Sequence, residues 1–319
     1  MTERLDVLKT YKLYIDGAFP RSESGRTTPV LGAAAKSKPQ GKGKPKTEAA
    51  VIAHVAKASR KDLRDAVEAA RKAQPKWADA TAYLRGQILY RMAEMLEGKR
   101  DEFVDALSSV DIAPTRAATT TKKAASIKAM RPLTPTQEVS LTIDRLVNYS
   151  GWSDKFSQVV GCQNAVAGPF YNFTIPEATG VVAAIAPREA PLLALISLLA
   201  PAICSGNAVV AITSEANPLV GAILGEVLAT SDLPAGVVNI LTGEHDELVP
   251  QIATHRDIDA IHAANLDVKH NATLRAGIAE NLKRVMVRTN VEWTSPDCQS
   301  PWWIESFVEF KTIWHPSAV

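Results

Sequence analysis

Three cysteines, Cys162, Cys204 and Cys298, are the candidate nucleophiles of this 319-residue chain. They lie far apart, with no Cys-x-x-Cys pair and no histidine at ligand spacing, which argues against a disulfide framework or a structural metal site. A thiol becomes nucleophilic when a cation or a helix N-terminus lowers its pKa. Cys204 sits in an apolar helical run, Cys162 precedes an alternating aromatic segment, and Cys298 is flanked in Ser-Pro-Asp-Cys-Gln-Ser by nothing of that kind. All three therefore read as buried or incidental thiols. Arg188 and Glu189 are adjacent charges that could form a surface ion pair; Glu189 could also act as a general base, but no nucleophile partners it.

The elements that would position such groups follow from periodicity. Thr10 to Phe19 alternates around Asp16-Gly17, a hairpin signal. Ser59, with Asp62 at the box position, caps a helix whose face carries Leu63, Val67 and Ala70. A second helix starts near Thr81, with Leu84, Ile88, Leu89, Met92 and Leu96 as its apolar stripe. Another covers about 138–150. From residue 168 an alternating strand, Pro-Phe-Tyr-Asn-Phe-Thr-Ile-Pro-Glu, precedes the continuous apolar run Gly-Val-Val-Ala-Ala-Ile-Ala-Pro, which is typical of a strand buried on both faces. A helix (190–204) ending at Gly206, a strand (208–212), a helix from Asn217, a strand (237–241), a helix (246–254) and a weak strand (258–261) follow. This alternation predicts an α/β fold with a parallel, doubly wound sheet. Ligands of such sheets bind outside the carboxyl ends of the strands. Here those ends are Ala186 to Glu189, Thr213 to Asn217 and Thr242 to His245. A helix-like stretch (270–284) and a tryptophan-rich tail complete the chain.

The chain is 46% hydrophobic and carries a net charge of +2, enough apolar material for one or two cores and too little charge to imply a polyanionic partner. Residues 36–46 place five lysines among Pro, Gly and Ser. Without aromatics for base stacking this reads as a solvated basic insertion, the alternative being an anionic docking site. No nucleic-acid partner is expected. The N-terminus has no apolar signal region, and Pro191 to Ile203 is too short to span a bilayer, so a cytoplasmic protein without a membrane partner is expected.

Several ordered motifs resemble the aldehyde dehydrogenase superfamily. Gly-Val-Val-Ala-Ala-Ile-Ala-Pro, followed by Pro191-Leu-Leu, is similar to the family's strand and Pro-Trp-Asn-x-Pro turn. Leu199 to Val210 resembles the segment ending in Gly-Asn-x-Val-Val. Asn217 to Gly243 resembles the next helix, the Leu-Pro-x-Gly-Val-x-Asn-x-Leu strand and its closing Thr-Gly. The Leu-Tyr-Ile-Asp-Gly hairpin, the helix after Ser59 and Glu309 to Pro316 also fit. The match spans most of 11–262 outside the two insertions and resumes at about 306–316. The resemblance implies a Rossmann-like sheet that binds NAD or NADP without a GxGxxG loop, and a catalytic Cys on a separate domain. It also implies a turn amide for the oxyanion and a Glu that activates water.

This sequence departs from that pattern. The catalytic domain should follow the weak strand but is missing, as is the Glu-Leu-Gly-Gly-Lys element. Glu189 occupies the oxyanion-binding Asn position, and an ionised carboxylate donates no hydrogen bond. Ile212 stands where a ribose-binding Lys belongs, Glu215 matches the Glu three positions on, and His262 to Leu266 replaces the phosphate-facing Gly-Ser turn. The resemblance leaves Ala186, Pro187, Ser214, Glu215 and Gly243 as a weak or vestigial cofactor set. No cofactor is expected, or NAD or NADP if any.

The family's assembly arm is retained in the strand from Phe170 and the last strand. Phe170, Asn172, Thr174, Phe310, Ile313 and Trp314 are its interface candidates. The expected division is 1–150 (hairpin and helices, with insertions at about 34–50 and 108–136), 151–178 with 304–316 (arm), 179–268 (parallel sheet) and 269–303 (a tail in place of the catalytic domain). The resemblance then implies a catalytically silent subunit that assembles, as a homo- or hetero-oligomer, with an active aldehyde dehydrogenase or regulates it. The alternatives are an NAD(P)-dependent aldehyde oxidoreductase with a nucleophile supplied in trans, and a scaffold using the basic loop.

Overall fold

A computed structural model describes residues 7–33, 49–112 and 133–317. The basic loop at 36–46 and most of the second insertion lie outside the described residues. The chain opens with β1 (Thr10–Tyr11), β2 (Thr27–Leu31) and β3 (Val51–Ala56), joined as β1-β3-β2, with β3 parallel to β1 and antiparallel to β2. Asp16 and Gly17 form the expected two-residue turn, both at positive φ (51° and 74°), but its arms extend only to a bridge between Ile15 and Ala18. Tyr14 bridges Ile240 instead, so the turn serves to fasten the N-terminus to the large sheet.

Helices α1 (Arg60–Asp79), α2 (Ala82–Gly98) and α3 (Arg100–Ser108) follow, then α4 (Pro135–Trp152) and α5 (Phe156–Val160). The Ser59–Asp62 capping box forms in full: the Ser59 hydroxyl accepts from the Asp62 N–H and the Asp62 carboxylate from the Ser59 N–H (2.8 Å). Asp62 also accepts from the Ser22 hydroxyl at 2.7 Å, tying the helix start to the N-terminal loop. In α2 the stripe at Ile88, Leu89, Met92 and Leu96 is buried, whereas Leu84 is exposed, one turn past the edge of the packed face.

The three-residue β4 (Cys162–Asn164) and the nine-residue β5 (Phe170–Ala178) precede the parallel unit: β6 (Val181–Ile185), α6 (Pro191–Cys204), β7 (Ala208–Ile212), α7 (Leu219–Thr230), β8 (Val238–Leu241), α8 (His245–Thr254), β9 (Ala260–Ala264), α9 (Val268–Ala276) and β10 (Arg284–Arg288). The strand order is β10-β9-β6-β7-β8, all parallel. Successive side chains of β6 enter opposite cores: Val182 and Ala184 join the one that holds α2, α4, α6 and α7, while Val181, Ala183 and Ile185 join the one under α1 and α8. Two covered faces explain why these strands are apolar throughout.

Five expectations are corrected. The weak strand at 258–261 runs from Ala260 to Ala264, so His262 is an inward strand residue, and the turn begins at Asn265, in the left-handed region (φ 47°). The helix expected over 270–284 stops at Ala276. Gly277 packs so closely on α8 that a Cβ there would lie 2.2 Å from the Ala253 carbonyl oxygen. After a short 3₁₀ turn, Arg-Val-Met-Val-Arg forms β10, the sheet's fifth strand, within a stretch expected to be tail. The arm begins at Cys162, because residues 151–160 complete α4 and α5. The second insertion ends before Pro135, the first residue of α4.

The tail proper packs as a plug. After a 3₁₀ turn at Pro296–Gln299 and α10 (Trp302–Glu305), β11 (Val308–Pro316) closes the arm sheet in the order β11-β5-β4. Trp293, Cys298, Trp303, Ile304 and Phe307 are buried against α4 and α6. Arg145 of α4 anchors them, donating to the Trp293 carbonyl (2.9 Å), the Cys298 carbonyl (3.0 Å) and the Ser197 hydroxyl (2.7 Å). The Tyr149 hydroxyl donates to the same Cys298 carbonyl at 3.0 Å.

Candidate functional site: the carboxyl ends of the sheet

The loops after β6 to β10 meet at one end of the sheet, and the sequence-derived residues lie there. Ala186 is buried and donates its N–H to the Ile212 carbonyl at 3.0 Å; Pro187 is buried beside it. Ala190 then takes a left-handed conformation (φ 45°, ψ 56°) to start α6. With no capping side chain at Ala190, the N–H groups of Leu192 and Leu193 are satisfied from a distance, by the carboxylate of Glu138 on α4 (2.8 and 3.2 Å). Burial pushes the Glu138 carboxyl up to about 7, against the pull of those two donors.

Glu189, at the position where the resemblance calls for an amide, accepts from the Asn265 side-chain amide at 2.5 Å; Asn265 in turn accepts from the Val291 N–H at 3.3 Å. One chain of hydrogen bonds thus joins the ends of β6 and β9 to the tail. Ser214 is buried, donating to the Arg188 carbonyl at 3.2 Å and accepting from the Ala216 N–H. Gly243 lies against Ala58 and Leu248; a Cβ there would come within 3.0 Å of the Leu248 side chain, so its smallness is used for packing.

Two more of the helix N-termini facing this end, those of α8 and α9, are served by carboxylates. Glu215 accepts the first N–H of α8, from His245, at 2.7 Å. Asp267 caps α9, accepting the His270 N–H at 2.8 Å. A helix N-terminus attracts anions through its free N–H groups and dipole, and a carboxylate there competes for both. The His270 ring lies between Asp267 (2.8 Å) and Asp246 (3.1 Å), and Lys269 holds Asp246 at 2.6 Å, keeping that carboxyl below its ordinary range. His245 is buried, with Nε2 donating to the Thr213 carbonyl at 3.1 Å; burial holds its pKa down.

The thiols do not converge on this end. Cys204 closes α6 at the far end of a helix roughly 20 Å long, and burial pushes it up to about 12. Cys298 is buried in the plug and is also raised by burial. Cys162 is exposed on the arm, its thiol beside the Asn164 side chain at 3.2 Å. A shallow cavity of about 410 Å³ lies elsewhere, between α2 and the end of α4, lined by Tyr83, Gln87, Tyr90 and Lys155.

A polar pair missed at the sequence level lies across β9 and β10. His262 donates from Nδ1 to the Leu198 carbonyl (2.8 Å) and accepts at Nε2 from Nε of Arg288 (2.8 Å). Arg288 stacks 3.8 Å from the Trp303 ring. Burial, then the Arg288 charge, hold His262 well below its ordinary pKa. The alternation of 284–288 was the available signal.

On the arm, β11 pairs with β5 over its whole length, Val308 opposite Ala178 through Pro316 opposite Phe170. Phe170 and Trp314 meet edge to face at 5.8 Å. Asn172 is buried and accepts from Asn164 at 2.5 Å, and the Thr174 and Thr312 hydroxyls pair at 2.9 Å. Phe170, Phe310 and Trp314 are 43%, 47% and 58% exposed, and Ile313 is half-buried.

Comparison with known proteins agrees with this architecture. The model of the aldehyde dehydrogenase family matches residues 34–289, so the match extends through β10. A cytosolic aldehyde dehydrogenase 1 of Elephantulus edwardii is 30% identical over 278 residues, 86% of this chain and 49% of the relative. The mitochondrial aldehyde dehydrogenase of Sus scrofa is 32% identical over 239 residues, 74% and 42%. The NAD+ complex of a Bacillus cereus aldehyde dehydrogenase superposes with a TM-score of 0.72 at 25% identity, covering 88% of this chain and 51% of that one. The chain thus spans about half the length of the curated relatives it matches. With a family match over most of its length and the same parallel sheet, the chain belongs to the aldehyde dehydrogenase family.

Proposed function

We propose that this chain is a catalytically silent member of the family, a subunit that assembles with an aldehyde dehydrogenase and does not itself oxidise aldehydes. The observation that carries the reading is the state of the α8 and α9 N-termini at the carboxyl ends of the sheet. Glu215 and Asp267 hold donors that a pyrophosphate would need. Glu244 and Asp246 beside them are paired with Lys57 and Lys269, each at 2.6 Å, so these two cations are engaged within the chain. Ile212 is fully buried where the resemblance requires a cation, and Glu215, the residue matched to ribose binding, is engaged by the His245 N–H. The residues present therefore do not fit a dinucleotide.

The chemistry points the same way. Glu189 is an acceptor held by Asn265 and would oppose a developing oxyanion, at a site where one lost donor costs a factor of about 100 to 1000 in rate. A thiol pushed up to about 12 is almost wholly protonated near neutrality, so Cys204 offers no thiolate. In the arm, by contrast, β11 pairs with β5 along its whole length and aromatic side chains are presented to solvent. Aromatic side chains open to solvent suit an interface.

Calorimetric titration of the folded chain with NAD, and then NADP, at about 1 mM tests the reading. That concentration detects sites of roughly −4 kcal/mol. No saturable heat is expected for either. Saturable binding would overturn the reading and favour the alternative, an NAD(P)-dependent aldehyde oxidoreductase whose nucleophile comes from a partner.

A further inference from the structure

Two arginines meet in the plug without an acid to balance them. Arg145 is 1% exposed and gives its Nη groups to the Ser197 hydroxyl and to the carbonyls of Cys298 and Trp293. Arg288 is partly buried; it gives Nε to His262 at 2.8 Å and an Nη to the Ser306 hydroxyl at 3.4 Å, and lies 3.8 Å over the Trp303 ring. Every one of these partners is neutral. Among the described residues neither guanidinium reaches a carboxylate, unlike Arg26, Arg71 and Arg284, which pair with Glu247, Asp259 and Glu309. Glu292 and Asp297, acids of the same tail, point out to solvent. Burial lowers both arginines from the ordinary guanidinium value, Arg288 to about 10, so each still carries its charge near neutrality.

The two charges are neighbours through the tail's tryptophans. Arg145 holds the Trp293 carbonyl, Trp293 meets Trp303 edge to face at 6.5 Å, and Arg288 stacks on Trp303. Two N–H donors of this cluster also lack an acceptor: Nε of Arg145 and Nε1 of Trp293, both closed to solvent. A buried donor without a partner is unfavourable, and a buried charge without a counter-charge is more so. One group answers both deficits, an acceptor that carries negative charge. We infer that the plug is a binding site for a small monovalent anion, of the size of a halide or formate, held between Arg145, Arg288 and the Trp293 indole N–H. Water would satisfy the two donors but leave both charges unbalanced. Donors shut off from solvent admit a guest of few atoms, which sets this site apart from one for a dinucleotide, and Arg288, the more open of the two cations, marks the way in. Bound there, the anion would tie the tail to α4 and to β10. The inference needs neither a partner nor catalysis and stands independently of the silent-subunit reading.

The test is a chloride titration of the full chain followed by the line width of the chloride nuclear resonance, with formate as competitor. Saturable broadening is expected, with a dissociation constant on the order of 1 mM. Displacement by formate would extend the site to carboxylates; broadening that formate leaves untouched would confine it to halides, and either supports a built site. Arg145 also anchors the tail, so the variants are made elsewhere. Arg288→Gln removes a charge at a partly exposed position, and Trp293→Phe keeps the aromatic bulk while removing the N–H. Each should weaken binding by about tenfold or more, the scale of one hydrogen bond to a charged group. A surface ion pair on Arg288 alone would be indifferent to Trp293→Phe. The urea midpoint of the native chain should rise when chloride replaces gluconate at constant ionic strength, since a ligand of the folded state stabilises it by mass action, and that rise should be lost in Arg288→Gln. Broadening that survives both substitutions, or a native midpoint indifferent to the exchange of anions, would overturn the inference and leave the cluster a set of carbonyl and water contacts that only holds the plug.

Discussion

At the carboxyl ends of the parallel sheet most of the named polar groups bond to one another, whereas on the arm aromatic groups stand open. Glu189, Asn265 and Val291 form one chain of hydrogen bonds, and Glu215 and Asp267 each take a helix N–H. On β5 and β11, Phe170, Phe310 and Trp314 are about half exposed, although Phe170 and Trp314 meet edge to face. A buried donor left without a partner costs about 1–3 kcal/mol. Where such donors are not offered to a ligand, the chain's own side chains must take them. Aromatic surface carries no such obligation, and it gains from contact only when a partner arrives. The two regions therefore differ in what they leave open: at the sheet end most of the named polar groups bond within the fold, Thr213 Oγ1 and Asn217 Oδ1 excepted, whereas the arm leaves aromatic surface exposed.

The largest effect that would sharpen this contrast lies in the plug, which closes the sheet end from one side. Trp293 is fully buried and its carbonyl anchors Arg145. Trp293→Ala should cost about 3–5 kcal/mol in urea unfolding, the range for large aromatic truncations in a core. A cost under about 1 kcal/mol would mean that the plug is a loosely laid strap and that the sheet end is accessible.

A second effect is a pH dependence with two opposed sources. Burial raises Glu138 to about 7 from an ordinary value of 4.5, so its protonated form is favoured in the folded state. Its contribution to stability is fullest below 4.5 and is lost as pH rises through about 7. A shift of that size corresponds to about 3 kcal/mol. His262 is held well below 6.5, so its contribution is present above that value and is lost as pH falls below it. In Glu138→Gln, stability relative to the native chain should rise by up to about 3 kcal/mol between about pH 5 and pH 8. A flat difference would show that Glu138 is ionised on the α6 N-terminus throughout, held by Leu192 and Leu193.

What was legible in the sequence follows the same physics. Strands β6, β7 and β8 were readable because both faces are covered, which forces unbroken apolar runs. The Ser59 cap was readable because both partners are local. β10 was not, because it is an edge strand in which every residue keeps some exposure and the apolar run shrinks to Val285, Met286 and Val287. β2 and β3 were missed, and the pairing of β1 with β3 was not readable because that parallel partner lies more than forty residues away. In the candidate site, the positions of Ala186, Ser214, Glu215 and Gly243 at the strand ends followed from periodicity, but their engagements did not. Glu138 reaches Leu192 across 54 residues, and Arg288 reaches His262 across 26. No spacing rule brings such pairs together; only the folded sheet does.

The smallest expected effect lies on the arm and completes the contrast. Trp314 touches Phe170 edge to face but is 58% exposed, and its opposite residue in β5 is Asn172. Truncation to serine removes little buried area, so Trp314→Ser should change the urea midpoint by no more than about 0.5 kcal/mol equivalent, the range for surface positions. The same substitution should nevertheless reduce association, because an exposed tryptophan gains most of its burial from a partner. Measured together, a stable fold with weakened assembly would place the working surface of this chain on β11. A loss of more than about 2 kcal/mol would instead make Trp314 part of the fold, and the exposure of the arm would then be a by-product of covering β5.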